Sequence, residues 1–203
     1  MKHAPKVALV LDHLAVACST LADGVAWVEE QLGVTMQSGG QHARYGTHNT
    51  LLGLGDSLYL EVIAPDPNAA PFEGPRWFGL DDFSGPPRLA NWICQTDAFD
   101  PVAGPPVSLN RSDLHWKLTV PADGGLPFDG AYPTLIKWAA GTHHPAKRLA
   151  NSKCRLRSFT VTHPDANAVQ AMIDLPDPRV TFQTGPLQLS AAFDTPNGPR
   201  DLT

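Results

Sequence analysis

The sequence predicts a sheet-based α+β fold, and three observations carry that prediction. Charged residues make up only 17% of the 203 residues, while Pro (20) and Gly (17) are plentiful, a mixture that favours short strands and turns over a helical bundle. The first third of the chain reads as a strand, a helix and three strands. Its opening pattern then recurs twice: strands closed by Ser19, Asp97 and Asp165 overlay one another, with Asn91 and Phe159 falling where His13 stands in the first. Helices do not alternate with every strand, which argues against a doubly wound sheet.

The first element, 7–18, is an apolar strand. One alternate set is Leu9, Leu11, His13, Ala15 and Ala17; the other is Val10, Asp12, Leu14 and Val16, whose branched members suit packing beneath a helix. That helix follows at once. Ser19 or Thr20 serves as N-cap, Thr20 with Asp23 resembles a capping box, and Leu21, Val25, Val28 and Leu32 recur at helical spacing before Gly33 stops it. Strands are expected at 34–38, 47–54 and 58–64, with Gly39-Gly40 and Gly55-Asp56 in the turns.

A Pro-rich connection (68–88) separates this first module, 7–67, from the remainder, 89–203. The second cycle opens at Leu89. Its helix is expected to be missing or very short, because 97–106 carries too many prolines, and strands resume at 114–120 and 134–139. A third opening at Leu156 leads to a helix around 166–175 and short strands at 180–183 and 187–193.

Acidic residues outnumber basic ones, 20 to 15, which argues against a nucleic-acid footprint. No apolar stretch approaches the ~20 residues of a membrane span. The early Asp12 and His13 argue against a signal peptide. Cys18, Cys94 and Cys154 are odd in number and lack metal-ligand spacing, so they are expected to be reduced thiols in a cytoplasmic protein.

A lone His13 and a lone Glu61 lie in two otherwise oily strands. Burying such groups is costly unless something pairs with them, and their convergence in one cavity explains both. An imidazole and a carboxylate suit Zn²⁺, Ni²⁺, Fe²⁺ or Mn²⁺; a structural hydrogen-bonded pair is the alternative. Without a metal, Glu61 in an apolar pocket is expected to have a raised pKa and to act as a general base. His48 is a candidate third ligand and Asn49 a candidate substrate hydrogen bond, unless Thr47 and Asn49 only tie down a strand-entry turn; His115, in a cleanly alternating strand, is a candidate fourth ligand unless that face is solvated. Lys137 is either a catalytic cation or a solvated edge-strand lysine. Arg44 and Tyr45 are candidates to close over a ligand, an arginine suiting a carboxylate. Trp92 and Trp138, with Trp77 and Phe78, are candidates for a pocket wall or for core packing. His143, His144, Lys147 and Arg148 fall in a loop, at a pocket mouth or on the surface.

The segments DHLAVA, GTHNTLLGLG and YLEVIAPDP, in that order and at that spacing, resemble the glyoxalase-like domain family of the vicinal oxygen chelate superfamily; FGLDD, PRLANW, LIKW and HHPAKRL are similar to its downstream half. The resemblance implies paired βαβββ modules, the second one degenerate here, forming a curled mixed sheet around a cavity that commonly holds one divalent metal. Characterised relatives isomerise or lyse small oxygenated substrates, open aromatic rings, or attack or sequester antibiotics. The family's metal ligands come from the first and last strands of each module, which His13 and Glu61 match in the first. In the second module, Asn91 and Lys137 or Trp138 stand at the equivalent places, so the usual ligand set is incomplete. Three readings follow. The first is a small-molecule enzyme in which a metal held by His13, Glu61 and His48 or His115 stabilises an enolate-like intermediate while a carboxylate or lysine moves the proton. The second is a non-catalytic protein that sequesters a small molecule. The third is a module that forms a homodimer through an open sheet edge.

Overall fold

The computed structural model describes residues 6–203. In chain order the elements are β1 (Val7–Ala8), β2 (Val10–Ala17), α1 (Leu21–Leu32), β3 (Gln37–His42), β4 (Thr47–Gly53), β5 (Tyr59–Pro65), β6 (Arg88–Gln95), β7 (Pro106–Arg111), β8 (Leu114–Thr119), β9 (Thr134–Trp138), β10 (Arg155–Thr162), α2 (Ala166–Met172), β11 (Ile173–Asp174), β12 (Val180–Gln183), β13 (Gln188–Thr195) and β14 (Gly198–Leu202). Among the described residues, no helix is long and apolar enough to cross a membrane.

Eight strands form one mixed sheet in the order β3-β4-β5-β2-β6-β9-β8-β7. The order reads the same from either edge if the two modules are exchanged. In each module the first strand pairs in parallel with the last (β2 with β5, β6 with β9), and the modules join where β2 and β6 run antiparallel. The curl brings the two edge strands, β3 and β7, close to each other, so the sheet is nearly closed.

The first module follows its sequence pattern. Thr20 caps α1 by accepting from the Asp23 N–H, and Gly33, at φ 65°, ends it in the left-handed region that glycine tolerates best. Leu14 and Val16 share a buried core with Val28 and Leu32 of α1. The expected strand at 34–38 lies instead at 37–42.

No α-helix follows β6; a single 3-10 turn, 101–103, stands there, capped by Asp100. The third unit covers the exposed apolar face instead. Its four-stranded sheet, β12-β10-β13-β14, packs Phe159 and Phe182 against Trp92, which is fully buried, and donates from Nε1 to the Ala131 carbonyl. A side chain of that size typically stabilises a core by about 3–5 kcal/mol over alanine, so the third unit replaces the packing that a second-module helix would supply. Trp92, expected as a candidate substrate contact, therefore belongs to the core on the far side of the sheet from the concave face. Three strands went unforeseen: β7, which begins at a proline; β11, where the helix was expected to run on to 175; and β14.

One irregularity decides the site. β2 and β6 lose register between Leu11 and His13, so Asp12 is the extra residue of a β-bulge. Leu9 and Leu11 consequently join the core beneath α1 rather than sharing a face with His13, and Asp12 and His13 both reach the concave side. Strict alternation had placed Leu9 and Leu11 with His13, and Asp12 with Leu14.

Candidate functional site

The concave face holds a cavity of about 40 Å³, roughly the space of one or two water molecules. Its wall includes His13, Asn49, Tyr59 and Glu61 from the first module, and Arg111, Trp116, Ile136 and Trp138 from the second. Trp77 and Phe78, stacked on each other, and Pro145 complete it.

His13 and Glu61 are each 5% exposed, and His13 Nε2 lies 3.6 Å from Glu61 Oε2. On its other side, His13 donates from Nδ1 to Asp12 Oδ1 at 2.5 Å. Tyr59 stacks on the imidazole with ring centres 4.3 Å apart. Asp12 is fully buried and is satisfied by three further donors: Gln95 Nε2 (2.7 Å), Trp138 Nε1 (2.9 Å) and His144 Nε2 (3.0 Å). The Ala146 N–H donates to His144 Nδ1, which leaves Nε2 as the protonated nitrogen.

The other oxygen of Glu61 accepts from Asn49 Nδ2 at 2.5 Å. Asn49 is oriented by its own carbonyl oxygen, which accepts from the Gly40 N–H (2.8 Å) and Arg111 Nη1 (3.2 Å). Arg111 reaches across the seam between the sheet edges and also donates to His42 Nε2 at 3.0 Å. Gly40 makes this crossing possible, since a Cβ there would stand 2.8 Å from Arg111 Cδ. His42 in turn bonds Thr47 Oγ1, which also accepts from Trp77 Nε1.

These contacts set the charges. Burial alone would pull His13 down, but the hydrogen bond to Asp12 and the negative charges of Asp12 and Glu61 outweigh it and raise its pKa to about 9. Burial would likewise raise Asp12 and Glu61. His13 and His144 hold Asp12 well below the usual carboxylate range, while His13 and Asn49 hold Glu61 below it. Glu61 is therefore an ionised carboxylate, not the raised-pKa group expected from an apolar pocket. His42 has no anionic partner in contact, and burial lowers it to about 4, leaving it a neutral acceptor.

A stability profile follows with definite signs. The raised pKa of His13 contributes fully below its ordinary value of 6.5 and is lost as the pH rises through about 9. The depressed Asp12 and Glu61 contribute above the ordinary carboxylate range and lose that contribution on acidification. Urea unfolding between pH 6.5 and 9.5 is thus expected to show stability falling by a few kcal/mol on the alkaline side. A flat or rising profile across that window would contradict the assignment of a charged His13.

The other candidates are placed as follows. Asn49 and Trp138 line the cavity with His13 and Glu61. Tyr45 is buried one layer behind, stacked on Trp77, and Arg44 is exposed beside it. His48 is not a ligand in this cavity: strand alternation turns Thr47, Asn49 and Leu51 inward and His48 outward, where its Nδ1 lies 4.0 Å from Asp66. His115 and Lys137 are also outside it. Leu114, Trp116 and Leu118 take the inward positions of β8, which leaves His115 exposed on the convex face; Lys137 pairs there with Asp97 at 3.1 Å. Lys137 is accordingly removed from the catalytic set. In the loop after β9, His143 and Lys147 are exposed, and Arg148 pairs with Asp113.

The residues present do not fit a resident divalent metal. Such an ion takes at least three imidazole, thiolate or carboxylate donors. Among the described residues, no group of three or more His, Cys, Asp or Glu is placed to hold one. His13 and Glu61 supply two donors, Asp12 already satisfies the second nitrogen of His13, and the second module offers Ile93 and Ile136 on the facing strands. The Arg111 cation stands in the same cavity.

The family model described as a glyoxalase-like domain matches residues 11–175. Among solved structures, a hypothetical protein from Staphylococcus aureus is similar at 14% identity with a TM-score of 0.61, covering 88% of this chain and 87% of that one. A methylmalonyl-CoA epimerase from Mycobacterium tuberculosis is similar at 17% identity with a TM-score of 0.42, covering 67% of this chain and 92% of its own. No curated protein matches the chain.

Proposed function

The chain belongs to the glyoxalase-like domain family and has the vicinal oxygen chelate fold, and from that premise we propose that its cavity catalyses proton transfer at a carbon beside a carbonyl group, as in an isomerase or lyase of small oxygenated compounds. The observation that carries this reading is the buried pair His13 Nε2 and Glu61 Oε2, 3.6 Å apart and facing each other across the cavity. That separation is too wide for a direct hydrogen bond, so both polar atoms are left to meet a substrate seated against the pair from the cavity side.

In this reading Glu61 Oε2 removes the proton. The C–H bond breaks, and its electron pair becomes the double bond of an enolate whose negative oxygen accepts from the imidazolium Nε2–H of His13. Glu61 then returns the proton to the same carbon or an adjacent one. Asp12 stays ionised throughout, keeping His13 charged and its ring oriented. Asn49 holds Glu61 in place. Trp77, Phe78, Trp116 and Trp138 exclude water, which strengthens each of these interactions. The reacting carbonyl occupies the cavity.

The test is deuterium incorporation. In deuterated buffer the protein is expected to exchange carbonyl-adjacent protons of pyruvate or hydroxyacetone faster than buffer alone, and His13→Gln is expected to lose that exchange, both followed by proton NMR. Exchange at the buffer rate for both compounds would overturn the reading. Binding without exchange would make the cavity a sequestering site.

A further inference from the structure

Arg111 stands out among the cavity residues because its charge is unanswered. It enters from the edge strand β7 and crosses to the opposite edge, and its guanidinium lies on the cavity wall with Glu61 and His13. Every other charged side chain bound into this network has an opposite charge in contact: Asp12 has His13, and His13 has both Asp12 and Glu61. Arg111 has no carboxylate within 4 Å among the described residues. Its two contacts, the ring nitrogen of His42 and the amide oxygen of Asn49, are acceptors that carry no charge. Both fall on one nitrogen, Nη1, so they aim the guanidinium without neutralising it, and the donors on Nη2 and Nε stay unengaged within the cluster. A cation held in place by neutral acceptors in a half-buried position lacks the counter-ion such sites ordinarily contain.

We infer that Arg111 is the anchor for a carboxylate group of the ligand, so that this cavity takes small carbonyl compounds that are also carboxylates. The inference rests on the proposed reading of the cavity and adds a substrate class to it. A planar guanidinium whose Nε–Nη2 edge is free matches a carboxylate bidentately, and this distinguishes it from a lysine in the same place. The position is also selective. The anion would sit beside Asn49, on the opposite side of Glu61 from His13, so a ligand anchored there would extend its next carbons along the cavity toward the His13–Glu61 pair. Arg44, the arginine first expected to meet a carboxylate, lies outside the cavity and is exposed.

The experiment uses the full chain at low ionic strength and follows the fluorescence of the cavity tryptophans. The probes are acetate, pyruvate and malonate, with hydroxyacetone and inorganic phosphate as comparisons. At least one carboxylate is expected to bind more tightly than hydroxyacetone or phosphate, and to bind roughly tenfold or more weakly to Arg111→Gln, with Arg111→Lys in between. The near-ultraviolet circular dichroism of each variant establishes that it has folded. Lysine keeps the charge, so a folded Arg111→Lys carries the test if glutamine disrupts the seam. The inference is overturned if none of the three carboxylates binds, if phosphate or hydroxyacetone binds as tightly, or if the folded variants bind as the parent does. Carboxylate binding without deuterium incorporation would leave Arg111 its role and remove only the catalytic reading. Deuterium incorporation into hydroxyacetone, with no carboxylate bound, would do the reverse.

Discussion

In Glu61→Gln, deuterium incorporation beside the carbonyl is expected to fall by roughly 10²–10⁴-fold, the usual contribution of a positioned general base. The amide is nearly isosteric and still meets Asn49, so little packing changes. What disappears is the anionic oxygen that lies beside His13 Nε2. The variant keeps the Asp12–His13 hydrogen bond, and its unfolding free energy is measured alongside to establish that it has folded. Two measurements check this, proton NMR exchange rates and urea unfolding of the same preparation. A folded Glu61→Gln protein that exchanges at the parent rate would remove Glu61 from the mechanism.

The second large effect falls on stability. Asp12→Asn is expected to cost about 3–5 kcal/mol in urea unfolding, the range for breaking a buried ion pair by neutralising one partner. Four donors converge on this one carboxylate, from β2, β6, β9 and the loop after β9. An asparagine must turn its NH₂ toward at least one of them. The imidazolium of His13 would lose its closest anion, and His144 would lose the contact that ties its loop over the cavity. A cost below about 1 kcal/mol would show that the network is not a stabilising element.

How much of this could be read from the chain differs from element to element. The first module was legible because its cues are local: a capping residue, helical spacing and a terminal glycine for α1, and apolar runs for β2 and β5. The absent second helix was legible from prolines. The same prolines hid β7, whose first residue, Pro106, lacks a ladder donor, although Val107 and Leu109 alternate with Ser108 and Asn110, and with β7 went Arg111. His13, Glu61 and Asn49 were identified from polar residues in apolar strands, and the structure brings those three together. Asp12 was missed for a different reason. A bulge has no signature in hydrophobic periodicity, so strict alternation turned Asp12 away from the side it occupies. The same rule, applied to His48 beside Asn49, would have turned it outward, as it did in the solvated reading of His115 between Leu114 and Trp116. His144 could not be assigned at all, because its partner is distant in sequence and the loop between them follows no period. The third unit was seen as a strand-helix-strand repeat, but its role in covering Trp92 in place of a helix depends on tertiary packing alone.

The account depends on an imidazole kept charged by a carboxylate on each side. Nitrogen-detected NMR titration of the His13 ring reads that state directly. The imidazolium is expected to persist through neutral pH and to lose its proton with a midpoint near 9. A ring already neutral at pH 7, with a midpoint at or below the ordinary 6.5, would contradict it.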